Sequence, residues 1–143
     1  MAGATRSIVI DAPVDTVFDT IIDYERYPEF LSEVKSVRTS DRQGDEVLVH
    51  YEVNVVKTIR YTIRVREERP LRMSWSFVKG ELMKDNRGSW VLEPQGEGRT
   101  KATYTVEMAL GPLVPKAIIT SLAETQLPKM LEAFKRRAEA ARG

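Results

Sequence analysis

The sequence contains no cysteine, so disulfides, thiolate metal sites and cysteine nucleophiles are excluded together. It has one histidine, His50, which cannot build a metal cluster alone. No charge of one sign dominates: 22 basic and 21 acidic residues leave a net +1, and no global field draws the chain to DNA or RNA. No apolar run approaches the ~20 residues of a membrane span. The opening Met1–Arg6 runs into a β-like stretch without the apolar centre of a signal peptide. Internal repeats and low-complexity linkers are absent as well. These absences lead us to expect a soluble, cytoplasmic protein that uses no metal or other cofactor.

What is present suits one domain over residues 1–143. A 42% hydrophobic and 30% charged composition supports a single substantial core rather than disorder. Ser7–Asp11 reads as a short first strand. Pro13 suits a first helical position, and Val14, Val17, Phe18, Ile21 and Ile22 recur at helical spacing, predicting a helix over 13–23. A second helical piece spans 24–31, interrupted by Pro28.

From Glu33 the period switches to two. Val47, Val49, Tyr51, Val53 and Val55 alternate with polar residues, and so do Ile59, Tyr61, Ile63 and Val65. The pattern continues through Leu71, Met73, Trp75 and Phe77, then Asn86, Gly88, Trp90 and Leu92, and last Ala102 to Leu110. Turn signals at Gly44, Pro70, Gly80 and Gly96–Gly98 separate the runs. Such alternation describes antiparallel strands with one dry face and one wet face.

Helical periodicity returns over Leu113–Arg142, apolar at Val114, Ile118, Ile119, Leu122, Met130, Leu131 and Phe134. This is the one long helix available to cover the dry face. Pro128 stands in its middle, which predicts a kink or break near 126–128, because proline removes a donor and restricts the residue before it. The fold class is therefore α+β: a strongly curved antiparallel sheet holding one long C-terminal helix, with two short helices after the first strand.

Strand parity turns Tyr51, Tyr61, Trp75, Asn86, Trp90 and Tyr104 toward the helix. Taken singly, each reads most simply as part of a solid core, with Asn86 bonded to nearby backbone. Taken together, rings with polar tips also suit the wall of a cavity for an amphipathic molecule. Gly88 marks sheet curvature. His50, the natural general acid or base, falls on the outer face with Glu52, Asp85 and Glu107. Glu67 shares the inner parity but lies near a strand end. Lys135–Arg137 sits where cations offset a helix macrodipole.

Several runs resemble a known family: IDAPVDTVFD from Ile10 to Asp19, then Asp23-Tyr24, YPEFL from Tyr27 to Leu31, GSW from Gly88 to Trp90, and MLEAFKRRA from Met130 to Ala138. They are similar to the polyketide cyclase/dehydrase and coenzyme-Q-binding-like families of the START and plant-allergen-like helix-grip superfamily. The resemblance covers nearly the whole chain in order, and departs from the coenzyme-Q-binding branch at Ser32-Glu33-Val34. It implies a helix-grip fold of about seven strands, ordered as one strand, two helices, six strands and the long helix. It also implies a cavity between sheet and helix, in the usual pocket range of roughly 300–1,000 Å³.

On that resemblance the expected function is binding or transport of a lipid, quinone or polyketide. The expected ligand-binding residues are Tyr51, Tyr61, Trp75, Asn86, Trp90 and Tyr104, with Phe30, Ile118 and Leu122; no catalytic residue is expected. Phe30, Leu113 and the first half of the long helix would form a gate. Two rivals remain open: a polyketide aromatase/cyclase working without metal or covalent intermediate, and a ribosome-linked, toxin-like interaction domain. The expected partner is a hydrophobic small molecule and not DNA. Transient contact with a membrane surface or ribosome stays open, as does the oligomeric state.

Overall fold

The computed structural model describes residues 2–54 and 58–141, leaving Val55 outside; the side chains of Ala2, Leu122 and Ala123 also lie outside the described residues. Strand β1 (Ala2–Ile10) leads into helix α1 (Val14–Ile21) and a 3-10 helix (Tyr24–Glu29). Six strands follow: β2 (Val34–Gln43), β3 (Glu46–Asn54), β4 (Thr58–Glu68), β5 (Arg72–Gly80), β6 (Met83–Pro94) and β7 (Thr100–Leu110). The C-terminal helix comprises α2 (Lys116–Ser121), a π-helical turn (Leu122–Gln126) and α3 (Leu127–Ala141).

The seven strands form one antiparallel sheet in the order β1-β7-β6-β5-β4-β3-β2. This is the helix-grip architecture. β1 joins the sheet at the far edge, beside β7, because the helices carry the chain across before the meander begins. Tight returns use left-handed glycines, Gly44 between β2 and β3 and Gly96 and Gly98 between β6 and β7.

The closed end of the sheet is solidly packed. Val49, Val65, Leu92, Ala102 and Ile10 are buried in one core cluster with Val17, Phe18 and Ile21 of α1. Thr100 seals the corner by donating a 2.7 Å bond to the carbonyl of Ala12. Helix α3 buries Leu127, Leu131, Phe134 and Ala138, a stripe at the 3.6-residue period. It packs on α1 and β1. Its far end is tied down by Glu139, which accepts from the backbone N–H of Asp11 at 2.8 Å, and by Lys135, which donates to the carbonyl of Val9 at 3.1 Å.

The other half of the C-terminal helix behaves differently. α2 has no buried residue. The expected disturbance at Pro128 takes the form of a π-helical turn immediately upstream rather than a break. A proline ring clashes with the carbonyl four residues back and offers no N–H to it. Widening the preceding turn is a known way for a helix to absorb that conflict and continue.

The sheet is also not uniform. β5 and β6 pair only from Arg72↔Val91 to Trp75↔Gly88. Beyond that, the end of β5 stays with β4 (Tyr61↔Gly80) and the start of β6 stays with β7 (Met83↔Leu110). The hairpin tip follows suit: Glu81 N–H donates to Arg60 at 2.9 Å, and Gly111 N–H donates to Leu82 at 2.9 Å. The sheet therefore splays open at the end that α2 overlies.

Candidate functional site

Between the splayed end of the sheet and the C-terminal helix lies a cavity of about 750 Å³. The floor is aromatic. Tyr51 and Tyr61, opposite each other on β3 and β4, stack at 4.9 Å with ring planes 9° apart. Trp75, Tyr104 and Trp90 continue the layer across β5, β7 and β6, with centroid separations of 5.4 and 4.9 Å. These five rings and Asn86 all stand on the cavity wall. Ile118, Ile119, Gln126 and Met130 from the helix form its roof.

Gly88 explains how two large rings fit on adjacent strands. A Cβ at Gly88 would meet Trp75 Cζ2 at 2.6 Å and the Thr105 carbonyl at 2.1 Å. The indole thus lies over a position with no side chain, and curvature alone does not account for this glycine. Lying there, Trp75 donates its indole N–H to Asn86 Oδ1 at 2.9 Å, a buried bond. Asn86 takes its partner from a wall side chain, not from nearby backbone as the simplest reading held.

The remaining expected residues divide. Ile118 faces the cavity. The Leu122 side chain is outside the described residues. Phe30 does not reach the wall, which corrects its expected place. It stands behind, edge-on to Phe134 at 5.1 Å and Tyr27 at 5.9 Å, with the Arg137 guanidinium 5.1 Å from its ring centre. A YPEF turn presents its rings to α3, and the aromatic cluster around Phe134 takes Phe30 away from the mouth. Leu113 does lie at the mouth, 85% exposed. Leu82, opposite it, holds a left-handed φ of 57° on the cavity wall, a conformation costly for a bulky residue.

Wall electrostatics are simple. Among the described residues it carries no lysine, arginine or histidine, and Glu33 is its one carboxylate. Burial raises the pKa of Tyr51, Tyr61 and Tyr104, so all three remain neutral phenols. Among the described residues no cluster of three or more His, Cys, Asp or Glu could hold a metal.

Four titratable positions that the sequence singles out, His50, Glu67, Lys135 and Arg137, have structural partners outside the cavity. His50 sits on the outer face between two hydroxyls, with Nε2 2.7 Å from Ser40 Oγ and Nδ1 2.8 Å from Thr62 Oγ1. Burial, reinforced by Arg38 and Lys79, lowers its pKa. Glu67 accepts two bonds from Arg42, at 2.8 and 3.1 Å, and one from Tyr24 at 2.6 Å. Lys135 and Arg137 pair with Glu139 and Glu29, at 2.5 and 2.7 Å.

Gln126 is the wall residue that the sequence reading missed. Its Oε1 is the one buried side-chain nitrogen or oxygen, among the described residues, without a hydrogen-bond partner. Stepping back from Phe134 by fours gives Met130 and then Gln126, so a polar residue interrupting the apolar stripe was the available signal.

Residues 10–135 match the model of the family described as polyketide cyclase / dehydrase and lipid transport, and the chain belongs to that family. A Streptomyces halstedii protein named "Putative polyketide cyclase" is 46% identical over 48 residues, 33% of this chain and 44% of that protein. The match thus spans less than half the length of that curated relative. Among solved structures, a START superfamily protein from Mycobacterium smegmatis superposes with a TM-score of 0.85 at 17% identity, covering 96% of this chain and 97% of the other. The Zhui aromatase/cyclase from Streptomyces sp. R1128 gives a TM-score of 0.71 at 17% identity, covering 98% and 87%. At these identities the structural likeness is one of fold. Among the described residues, no helix is long and apolar enough to cross a membrane.

Proposed function

We propose that this family member binds, and by binding carries, a hydrophobic or amphipathic small molecule in the cavity between sheet and helix, with no covalent chemistry. The observation that carries the reading is the wall itself: about 750 Å³ of space, open at one mouth, lined by stacked rings and aliphatic side chains. A packed core fills such space with side chains, leaving few voids larger than a water molecule. A pocket of this size and lining is what a drug-sized apolar ligand occupies. The ligand-binding residues are Tyr51, Tyr61, Trp75, Asn86, Trp90, Tyr104 and Ile118, with Gln126 added and Phe30 withdrawn. Entry runs past α2, which buries no side chain, and the exposed Leu113. α3 stays fixed at the closed end.

The aromatase/cyclase reading is supported by the family description and by the Streptomyces halstedii match. The wall argues against it. General acid–base chemistry needs a titratable group within reach of the reacting proton; Glu33 is the one carboxylate on the described wall, and the carboxylates and imidazole with shifted pKa, Glu29, Glu67 and His50, are engaged by Arg137, Arg42, Tyr24, Ser40 and Thr62.

The test is native mass spectrometry of freshly purified protein, together with displacement of a fluorescent apolar probe by lipids, quinones and polyketide aromatics. A co-purifying small molecule, or competitive displacement with a raised Tm, supports the carrier reading. No bound mass and no probe binding removes it. Turnover of a poly-β-ketone would move the assignment to the cyclase.

A further inference from the structure

We infer that Gln126 is a specificity-determining residue of the cavity, its side-chain carbonyl accepting a hydrogen bond from a hydroxyl group of an uncharged ligand. The inference rests on the cavity being a binding site, as proposed above, and adds the chemical class that the site selects.

Two observations and one property of the side chain carry it. Gln126 stands on the cavity roof, on the same helical face as Met130 and Phe134. Its Oε1 is buried with no partner in the protein, and a buried acceptor left unpaired is costly. Native structures retain such groups when something else supplies the missing bond. As placed, that oxygen is screened from the open space of the cavity; the terminal torsion of a glutamine is broad and soft, and a turn about it brings the oxygen to the wall. A ligand hydroxyl is a donor of the right kind. A ligand carbonyl or ether oxygen is not.

The charge of the ligand follows from what surrounds that oxygen. No basic side chain stands on the described wall, and the one carboxylate there is Glu33. A carboxylate or phosphate head group inside would be desolvated without a cation to pair with, which is strongly unfavourable. Free fatty acids and phospholipid head groups are therefore poor occupants. A flat ring system suits the stacked floor of Tyr51 and Tyr61. Its hydroxyl would reach Gln126 overhead, and the phenol hydroxyls of Tyr61 and Tyr104, which also line the cavity, can accept from or donate to a second polar group.

Three matched fluorescent probes test the idea at neutral pH: 1-hydroxypyrene, 1-methoxypyrene and 1-pyrenecarboxylate. They share one ring system and differ only in carrying a donor, a capped donor or a charge. The expected order in the native protein is hydroxypyrene about three- to tenfold tighter than methoxypyrene, the size of one net hydrogen bond. Pyrenecarboxylate should bind at least about tenfold more weakly than methoxypyrene. In the near-isosteric Gln126→Met variant, hydroxypyrene and methoxypyrene should bind within about twofold of each other. Retained methoxypyrene binding shows that the variant's cavity is intact.

Equal binding of hydroxypyrene and methoxypyrene by the native protein overturns the inference while leaving the cavity reading in place. So does a preference that survives in Gln126→Met, or tight binding of the carboxylate. If none of the three probes binds, both the inference and the cavity reading fail.

Discussion

Trp75 and Asn86 are joined across the point where β5 and β6 part. The indole N–H donates to Oδ1 at 2.9 Å, both residues are buried, and the last paired residues of the two strands are Trp75 and Gly88. Past that point the backbone ladder between the strands is missing, so a side-chain bond takes over where pairing stops. The bond serves two ends. It fixes the indole as part of the cavity floor, and it satisfies two polar groups that burial would otherwise penalise.

Replacing Asn86 with Leu should therefore destabilise the fold by about 1–3 kcal/mol, because the indole N–H would remain buried without an acceptor. Asn86→Asp retains an acceptor at that place and should recover part of the loss. Urea unfolding of the three proteins checks this. Equal midpoints for wild type and Asn86→Leu would show that the indole finds another partner.

Gly88→Ala should be destabilising by about 1–3 kcal/mol, the usual cost of forcing extra volume into a packed site. The added carbon would fall 2.6 Å from the Trp75 ring and 2.1 Å from backbone, and the backbone oxygen cannot step aside as a flexible side chain would. Since the ring must shift, tryptophan fluorescence should change along with the thermal midpoint. A Trp75→Phe background, with a smaller ring over Gly88, should soften the effect. An unaltered emission spectrum in Gly88→Ala would mean that the indole does not depend on this glycine.

Stability should fall on acidification in two windows. His50 is lowered in the folded protein by burial first, then by Arg38 and Lys79. The unfolded chain therefore binds the proton at higher pH than the folded one. Stability from His50 is complete above the ordinary value of 6.5 and is lost as pH drops through the lower folded value. Glu67 follows at more acid pH. Burial pushes its carboxyl up, but the bonds from Arg42 and Tyr24 outweigh that and hold it below 4.5. Its contribution is complete above 4.5 and disappears as pH falls through the depressed folded value. His50→Gln should remove the upper window and Glu67→Gln the lower one, as read from unfolding midpoints between pH 3 and pH 8. A Glu67→Gln protein with the wild-type acid profile would rule out this carboxylate as the source.

Much of this architecture was legible because β3 to β7 each present one dry and one wet face, and a period of two survives even where the dry side borders a cavity. The strands that escaped detail are the edges. β2 buries only Val37, so its sequence carries no alternation to read. β1 extends back to Ala2 through small and polar residues, and its pairing with β7, rather than its own composition, keeps it extended. Parity brought the six inward residues together, yet it is blind to what stands in front of a side chain. Phe30 looked like part of a rim and is screened by Phe134 and Tyr27. His50 lay on the wet face as expected, but its half-buried bridge between Ser40 and Thr62 depended on strand register that alternation does not supply. Gln126 went unread because a polar residue on an apolar stripe is easily passed over as exposed.

Pro128 has the most consequential place in the roof. Its ring and missing N–H disfavour a regular turn before it, and the helix answers with the π-helical stretch Leu122–Gln126. A π turn contains an extra residue relative to an α turn, so everything upstream is rotated about the helix axis compared with an uninterrupted α-helix. Ile118, Ile119 and Gln126 face the cavity in that rotated setting. Pro128→Ala returns the donor and removes the clash, and alanine has the highest helix propensity. The stretch should then relax toward regular α geometry, with α3 unmoved because Leu131, Phe134 and Ala138 anchor it. Fold stability should hold or rise slightly, while α2 turns and carries Ile118 and Ile119 away from their present wall positions. Affinity for an apolar probe such as 1-methoxypyrene should fall several-fold with no loss in the thermal midpoint. Amide exchange should show greater protection across 118–126, as bonds between residues four apart replace the wider ones. Unchanged affinity and unchanged exchange would mean that the π turn is imposed by packing over the cavity rather than by the proline. Lower stability together with lower affinity would instead place Pro128 itself among the groups that hold the roof closed.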